Sequence, residues 1–343
     1  MTLMLLKCRT LRVALRRTTS ITTAMLLLFG LSRAPVVYGQ EITIRPSSAV
    51  WHPKLTNGFF VAWAPNSPNL EVFDRNGSRV AILNILTNFP KDRAVSIYDA
   101  AVQPGRAIVV AACLVAREKE EVRGTLLYYD WHGALTQAVD LARSINLLDV
   151  DEDGNVWALF NGAGDGGPAK SPVIAIFRGG RIIKSFLNWS YFPHHDYEID
   201  TGRKANGFPA FGITPERVWF WLPGCEVFSF DRDGGNLTRL RMKLPKPSGV
   251  LPAFAGYRDE PLVKAQRCAM TVDGRFVVQV QSRAVNVEPG LYILGKKGMS
   301  RYPIDRDGAQ RNALLLGLDN SDLVFAQYDR SRSEYQIFWK HLE

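Results

Sequence analysis

Apolar and polar residues alternate in short runs along most of the chain, and a polar or glycine-bearing turn leads into each run. One set of runs covers residues 58–63, 105–110, 153–159, 215–220, 273–278 and 320–325. Each reads as a strand leaving a tight turn. A second run follows each of these and ends on an aromatic residue or a leucine. These end positions are Phe73, Tyr129, Phe177, Phe230, Leu294 and Phe338, spaced 56, 48, 53, 64 and 44 residues apart. No amphipathic helix of ten or more residues is predicted beyond residue 40; the charged stretch 115–122 is too short.

Six β-only units of roughly fifty residues predict four-stranded blades arranged radially, a β-propeller. A lone blade leaves an apolar face uncovered, and a ring covers every face. The tryptophans on these strands are therefore expected to pack between blades rather than form a binding stripe. Seven blades of about 43 residues would also fit the length, but the anchor residues count to six. The last unit runs into the C-terminus without an outer strand. Residues 41–45 offer a spare one, and pairing them beside residues 335–339 would close the ring and protect both edges.

The units Asp153-Gly154-Asn155-Val156-Trp157 and Leu70-Glu71-Val72-Phe73-Asp74-Arg75-Asn76-Gly77 carry a resemblance. They resemble the six-bladed propellers of the NHL and TolB-like superfamily, over residues 41–343. The Trp-Asp dipeptide of the seven-bladed WD family is absent. The resemblance implies the fold; it does not select among the binding scaffolds, lactonases, lyases and dehydrogenases built on it.

Charge changes the picture only at the N-terminus. The 343-residue chain has a net charge of +9, but its first 40 residues hold six basic groups and no acid. The remainder has 36 basic and 33 acidic residues, or +3, which is no electrostatic footprint for nucleic acid. Within residues 1–40 a basic stretch from Lys7 to Arg17 precedes an 11-residue apolar core at 21–31 and then Val37-Tyr38-Gly39. This order predicts a secretory signal peptide cleaved after Gly39 or Gln40, followed by a single propeller domain, 41–343, that is secreted or periplasmic. No apolar run is long enough to span a membrane. The three cysteines beyond the leader, Cys113, Cys225 and Cys268, allow at most one bridge. An oxidising compartment would permit Cys225–Cys268.

Candidate chemistry is sparse. The segment Asp149-Val150-Asp151-Glu152-Asp153-Gly154 imitates the start of a calcium loop, but Phe160 stands where the bidentate Glu belongs, so a blade turn is the favoured reading. His194-His195-Asp196 is the one histidine cluster. Adjacent side chains in an extended segment diverge, so solvent-exposed loop residues are favoured over a metal site. Gluconolactonase-like propellers place Glu, Asn and Asp at the channel ends of different inner strands. Inner strands here are expected to start near Ser48, Val95, Asn146, Phe208, Arg267 and Asn312, and only Asn146 and Asn312 among them suit a metal.

The absent Glu favours an exported, non-catalytic propeller that binds a protein, peptide or glycan. The alternative is a metal-dependent hydrolase or lyase with its site over the central channel. Two long blade-to-blade connections, 188–210 and 244–266, are expected to wall a groove above blade four, with the glycine-rich stretch 161–172 as a third wall. Trp189, Tyr191, His194, His195, Arg203, Lys204, Tyr257 and Arg258 are the ligand-binding candidates, because aromatic platforms beside cationic groups suit a sugar ring or an anion.

Overall fold

The computed structural model describes residues 41–47, 53–64, 67–89, 93–103, 105, 107–116, 121–160, 167–191, 210–222, 226–251, 261–295, 298–302 and 313–341. The leader lies outside them, as do Ser48, Phe208, Cys225 and Asn312.

The chain forms a six-bladed β-propeller. Strand β1 (Glu41–Ile44) comes first. Blade one is β2 (Lys54–Thr56), β3 (Phe59–Trp63), β4 (Asn69–Phe73) and β5 (Arg79–Asn84). Blade two is β6 (Arg93–Gln103), β7 (Ala107–Ala116), β8 (Glu121–Tyr129) and β9 (Leu135–Leu141). Blade three is β10 (Ile145–Val150), β11 (Val156–Phe160), β12 (Pro172–Arg178) and β13 (Arg181–Asn188). Blade four is β14 (Ala210–Ile213), β15 (Arg217–Leu222), β16 (Glu226–Asp231) and β17 (Thr238–Arg241). Blade five is β18 (Val263–Met270), β19 (Phe276–Ser282), β20 (Gly290–Gly295) and β21 (Gly298–Arg301). Blade six is β22 (Leu314–Asp319), β23 (Asp322–Asp329) and β24 (Glu334–His341), with β1 as its outer strand. Every pairing is antiparallel, and β1 meets β24 in the register Glu41↔Phe338 to Ile44↔Tyr335.

The repeat has a local cause. Asp74, Asp130, Asp151, Asp231 and Thr271 each open the same five-residue turn. The main-chain N–H of the first residue donates to the carbonyl of the fifth, and the N–H of the fourth, a glycine, donates back to the first. In the turn at Asp74 its Oδ1 also accepts from the N–H groups of Asn76 and Ser78. The fourth residue must take a left-handed conformation, hence Gly77 at φ 80°. A Cβ there would also stand 2.5 Å from the carbonyl oxygen of Thr43 in β1.

Packing follows the alternation of each strand. Six apolar clusters lie between neighbouring blades, one per seam. The anchor residues occupy the third strand of each blade and face the blade before it. Phe73 packs with Ile337 and Trp339, Tyr129 with Val61 and Leu83, and Leu294 with Trp219 and Trp221. All seven described tryptophans join such clusters, as interblade packing requires. Cys113 and Cys268 are buried free thiols.

Sequence reading placed the inner strands less well than the seams. Blade one's inner strand is the three-residue β2 at Lys54, since a stretch that short has no alternation to read. The connection expected at 244–266 is shorter, because Lys264 and Gln266 belong to β18. Its first part is tied down: Ser248 N–H donates to Asn286 Oδ1 (2.7 Å) and Leu251 N–H to the Arg283 carbonyl (2.8 Å).

Candidate functional site

The inner strands β2, β6, β10, β14, β18 and β22 line the central channel. Four of them carry a one-residue register shift that leaves Tyr98, Asn146, Gln266 and Leu316 without a cross-strand partner. Such bulges re-aim the side chains that follow. Asp99 and Arg267 come directly after two of them.

The side chains of Lys54, Asp99, Asp149 and Arg267 form a charged cluster in the channel. Lys54 Nζ donates to Asp99 Oδ2 (2.6 Å) and to the Leu148 carbonyl (2.5 Å). The Leu148 N–H donates to the same Asp99 oxygen (2.7 Å). Burial pushes the Asp99 carboxyl up, and the Lys54 ammonium opposes that shift. Arg267 stands on the opposite blade; burial lowers its guanidinium to about 10, and the Asp99 charge works against the fall. Blade one adds a second tie, because Asn57 Nδ2 donates to the carbonyls of Val102 (2.8 Å) and Val150 (2.9 Å). Three blades are thus joined across the channel through Lys54 and Asn57.

Asp149 differs from Asp99. It keeps some surface on the channel lumen, yet protein surrounds it closely. Burial pushes its carboxyl up to about 6, with Lys54 pulling down and Asp99 pushing up. It accepts main-chain N–H groups from Val150 (3.0 Å) and Ile213.

Antiparallel order puts the first and third turns of blades one to five on one face, here the hairpin face, together with the β22–β23 turn of blade six. The remaining connections, including those between blades, leave from the other. The hairpin face holds a cavity of about 640 Å³ at the channel mouth, bordered by Asn57, Arg75, Gln103, Asp149, Asp319 and Asn320 among others. The calcium-loop-like segment is a blade turn beside it. Asp151 Oδ1 accepts from the Asn155 N–H (2.8 Å), and Oδ2 from Asn155 Nδ2 and Trp157 Nε1 (both 2.9 Å). Among the described residues no three His, Cys, Asp or Glu side chains group as a metal site would require.

Of the eight ligand-binding candidates, Trp189 and Tyr191 are described; His194, His195, Arg203, Lys204, Tyr257 and Arg258 lie outside the described residues. Trp189 is no exposed platform. It is 2% exposed and packs with Trp157, Val173 and Phe220 in the seam between blades three and four. It sits in a single 3-10 turn, Trp189–Tyr191, whose first N–H donates to the Ser171 carbonyl (3.0 Å). That bond brings the end of the 161–172 stretch against the start of the 188–210 connection. Tyr191, two residues on, is 47% exposed.

Sequence reasoning missed Lys54 and Asp99, and read Asp149 as part of a blade turn, where it lies in strand β10. The available signal was a carboxylate inside an apolar strand, as in Ile97-Tyr98-Asp99-Ala100-Ala101. Such a residue must meet a partner when buried.

No family model matches the chain, and no curated protein matches its sequence. Solved structures do. A candidate exported protein of Bacteroides fragilis is 11% identical, covers 90% of this chain and 96% of its own, and superposes with a TM-score of 0.52. A member of the DUF4221 family from Bacteroides vulgatus is 10% identical over 89% of this chain and 98% of its own, with a TM-score of 0.49. A Bacteroides caccae protein of unknown function is 11% identical over 76% and 91%, with a TM-score of 0.41. At 11% identity the likeness to the Bacteroides fragilis protein is one of fold alone.

Proposed function

We propose that this chain is an exported, non-catalytic β-propeller of the NHL/TolB-like kind that binds a protein, peptide or glycan through its connection face. The observation that carries this reading is the arrangement at Trp189–Tyr191. A buried Trp189 anchors the turn, the bond to Ser171 holds two connections together, and Tyr191 is left in solvent beside them. A rigid scaffold presenting an exposed aromatic ring at the start of a long connection is what a binding rim needs. His194, His195, Arg203, Lys204, Tyr257 and Arg258, which belong to the two long connections in sequence, are proposed to take part in that binding.

Arrays of peptides and glycans probed with residues 41–343 test the reading. The combined variant Tyr191→Ala, His195→Ala, Arg203→Ala and Tyr257→Ala is expected to lose binding while keeping its melting temperature. Trp189 is left intact, because truncating a buried Trp costs about 3–5 kcal/mol and would confuse folding with binding. Undiminished binding by the variant overturns the assignment. One equivalent of calcium or zinc in the purified protein, together with lactone hydrolysis, would replace it with the hydrolase or lyase.

Export rests on the basic–apolar–small order of residues 1–40. Mass spectrometry of protein from its own host is expected to find an N-terminus at Gln40 or Glu41. A chain retaining Met1 in the cytoplasm contradicts export.

A further inference from the structure

We propose that the cavity on the hairpin face binds a small hydroxylated primary amine, of the amino-sugar or amino-alcohol class, whose ammonium group is held by the carboxylate of Asp149. This site is separate from the connection-face rim and needs none of its residues.

The first ground is the cavity. Its volume of about 640 Å³ suits a small molecule, and of its thirteen described lining residues only Leu55, Ile213 and Leu318 have apolar side chains. A hydroxylated ligand matches such walls. The second ground is charge. Four carboxylates (Asp149, Asp151, Glu152 and Asp319) border the cavity against one guanidinium, Arg75.

The third ground, which selects the atom, is hydrogen bonding. Asp151 is engaged by Asn155 and Trp157. Glu152 receives both terminal nitrogens of Arg232 (2.6 and 2.8 Å). Asp319 is paired with Arg75 and accepts from Trp339 Nε1 (3.1 Å). Asp149 alone of the four accepts only main-chain donors among the described residues. It keeps some surface on the channel lumen, where Asp151 is buried. Lys54 acts on it from behind but spends its hydrogen bonds on Asp99 and Leu148. An ammonium entering from the cavity would supply the missing charged donor, and charge-assisted hydrogen bonds are the strong ones. The amides of Gln103 and Asn320 stand around the same space to meet hydroxyl groups, while Asn57 spends its amide hydrogens on Val102 and Val150.

Calorimetric titration of residues 41–343 with glucosamine tests the proposal, with glucose and N-acetylglucosamine as neutral analogues and citrate as an anion. At neutral pH glucosamine is expected to bind at least about tenfold more tightly than either neutral sugar. Asp149→Asn is expected to remove that preference with the far-ultraviolet circular dichroism unchanged. Lowering the pH to about 5 is expected to weaken glucosamine roughly tenfold, as Asp149 takes up a proton. The other charges around it are Lys54, Asp99 and Arg267 in the channel, and Arg75, Asp151, Asp319 and the Glu152–Arg232 pair around the mouth. The proposal is overturned by neutral sugars binding equally well, by an unchanged preference in the variant, by tighter binding of citrate, or by no glucosamine binding at about 10 mM. Because the ligand comparison uses the native protein, it decides the matter even where the variant is unstable.

Discussion

Replacing Lys54 with Met is expected to destabilise the protein by about 3–5 kcal/mol, because it leaves a buried carboxylate without its counter-charge. Asp99 is 1% exposed, and after the substitution it would keep main-chain N–H donors and the more distant charge of Arg267, but no bonded cation. Met keeps the packing of the lysine stem, so the loss reports charge rather than volume. The double variant Lys54→Met, Asp99→Asn is expected to regain most of the stability, since a neutral amide needs no cation. The sign with pH follows. Without Lys54, the folded-state pKa of Asp99 rises further above its unfolded value. The variant's deficit is then largest above that folded pKa and shrinks as the pH falls toward the ordinary carboxylate range. Urea midpoints at several pH values, read from tryptophan fluorescence, check both points. A loss under about 1 kcal/mol in the single variant would mean that water, not Lys54, compensates Asp99.

Removing residues 41–47 is expected to be comparably damaging. Ile44 is fully buried against Phe60 and Tyr335, a contribution of about 1.5–3 kcal/mol. The segment also serves two buried carboxylates. Arg45 Nε donates to Glu334 (2.8 Å), and the Ser47 N–H donates to Glu71 (2.6 Å). Among the described residues Glu334 would keep the ion pair with Arg332, at 3.6 Å, and Glu71 the one with Arg79. Each poorly satisfied buried group costs about 1–3 kcal/mol. The loss would then be a large part of the stability of a typical domain, about 5–15 kcal/mol. The truncation also bares the edge of β24, a template for association between chains. A lower melting temperature and concentration-dependent aggregation are expected, and a peptide of residues 41–47 added in excess should restore solubility. A truncated chain as stable and monomeric as the parent would show that β1 is dispensable to the ring.

The candidate site was far less legible than the fold. Trp189 and Tyr191 are neighbours in an aromatic-rich stretch, and sequence treats them alike. The structure separates them by orientation: a single 3-10 turn sends one into the seam and the other into solvent. Asp149 and Asp151 are also two residues apart. Asp151 is consumed by its own turn, while Asp149 faces the channel. Nothing in Asp149-Val150-Asp151 marks which is which.

Sequence alone determined the number of blades, two recurring strands in each and the glycine-bearing turns beside them. Those features depend on residues a few positions apart: alternation places side chains on a face, and an Asp or Thr four residues before the end of a turn, with Gly beside that end, bends the chain. The channel was decided only by the tertiary structure. Lys54, Asp99 and Leu148 come from three successive repeats, 45 and 94 residues from the lysine, and they meet because the ring brings inner strands together. Single-residue bulges then choose which side chains face inward, and Ile97-Tyr98-Asp99 reads as an ordinary strand until its partner β7 shows one residue left over. A buried charge is set by what surrounds it in space, and six strands drawn from six repeats supply surroundings that no local stretch of sequence contains.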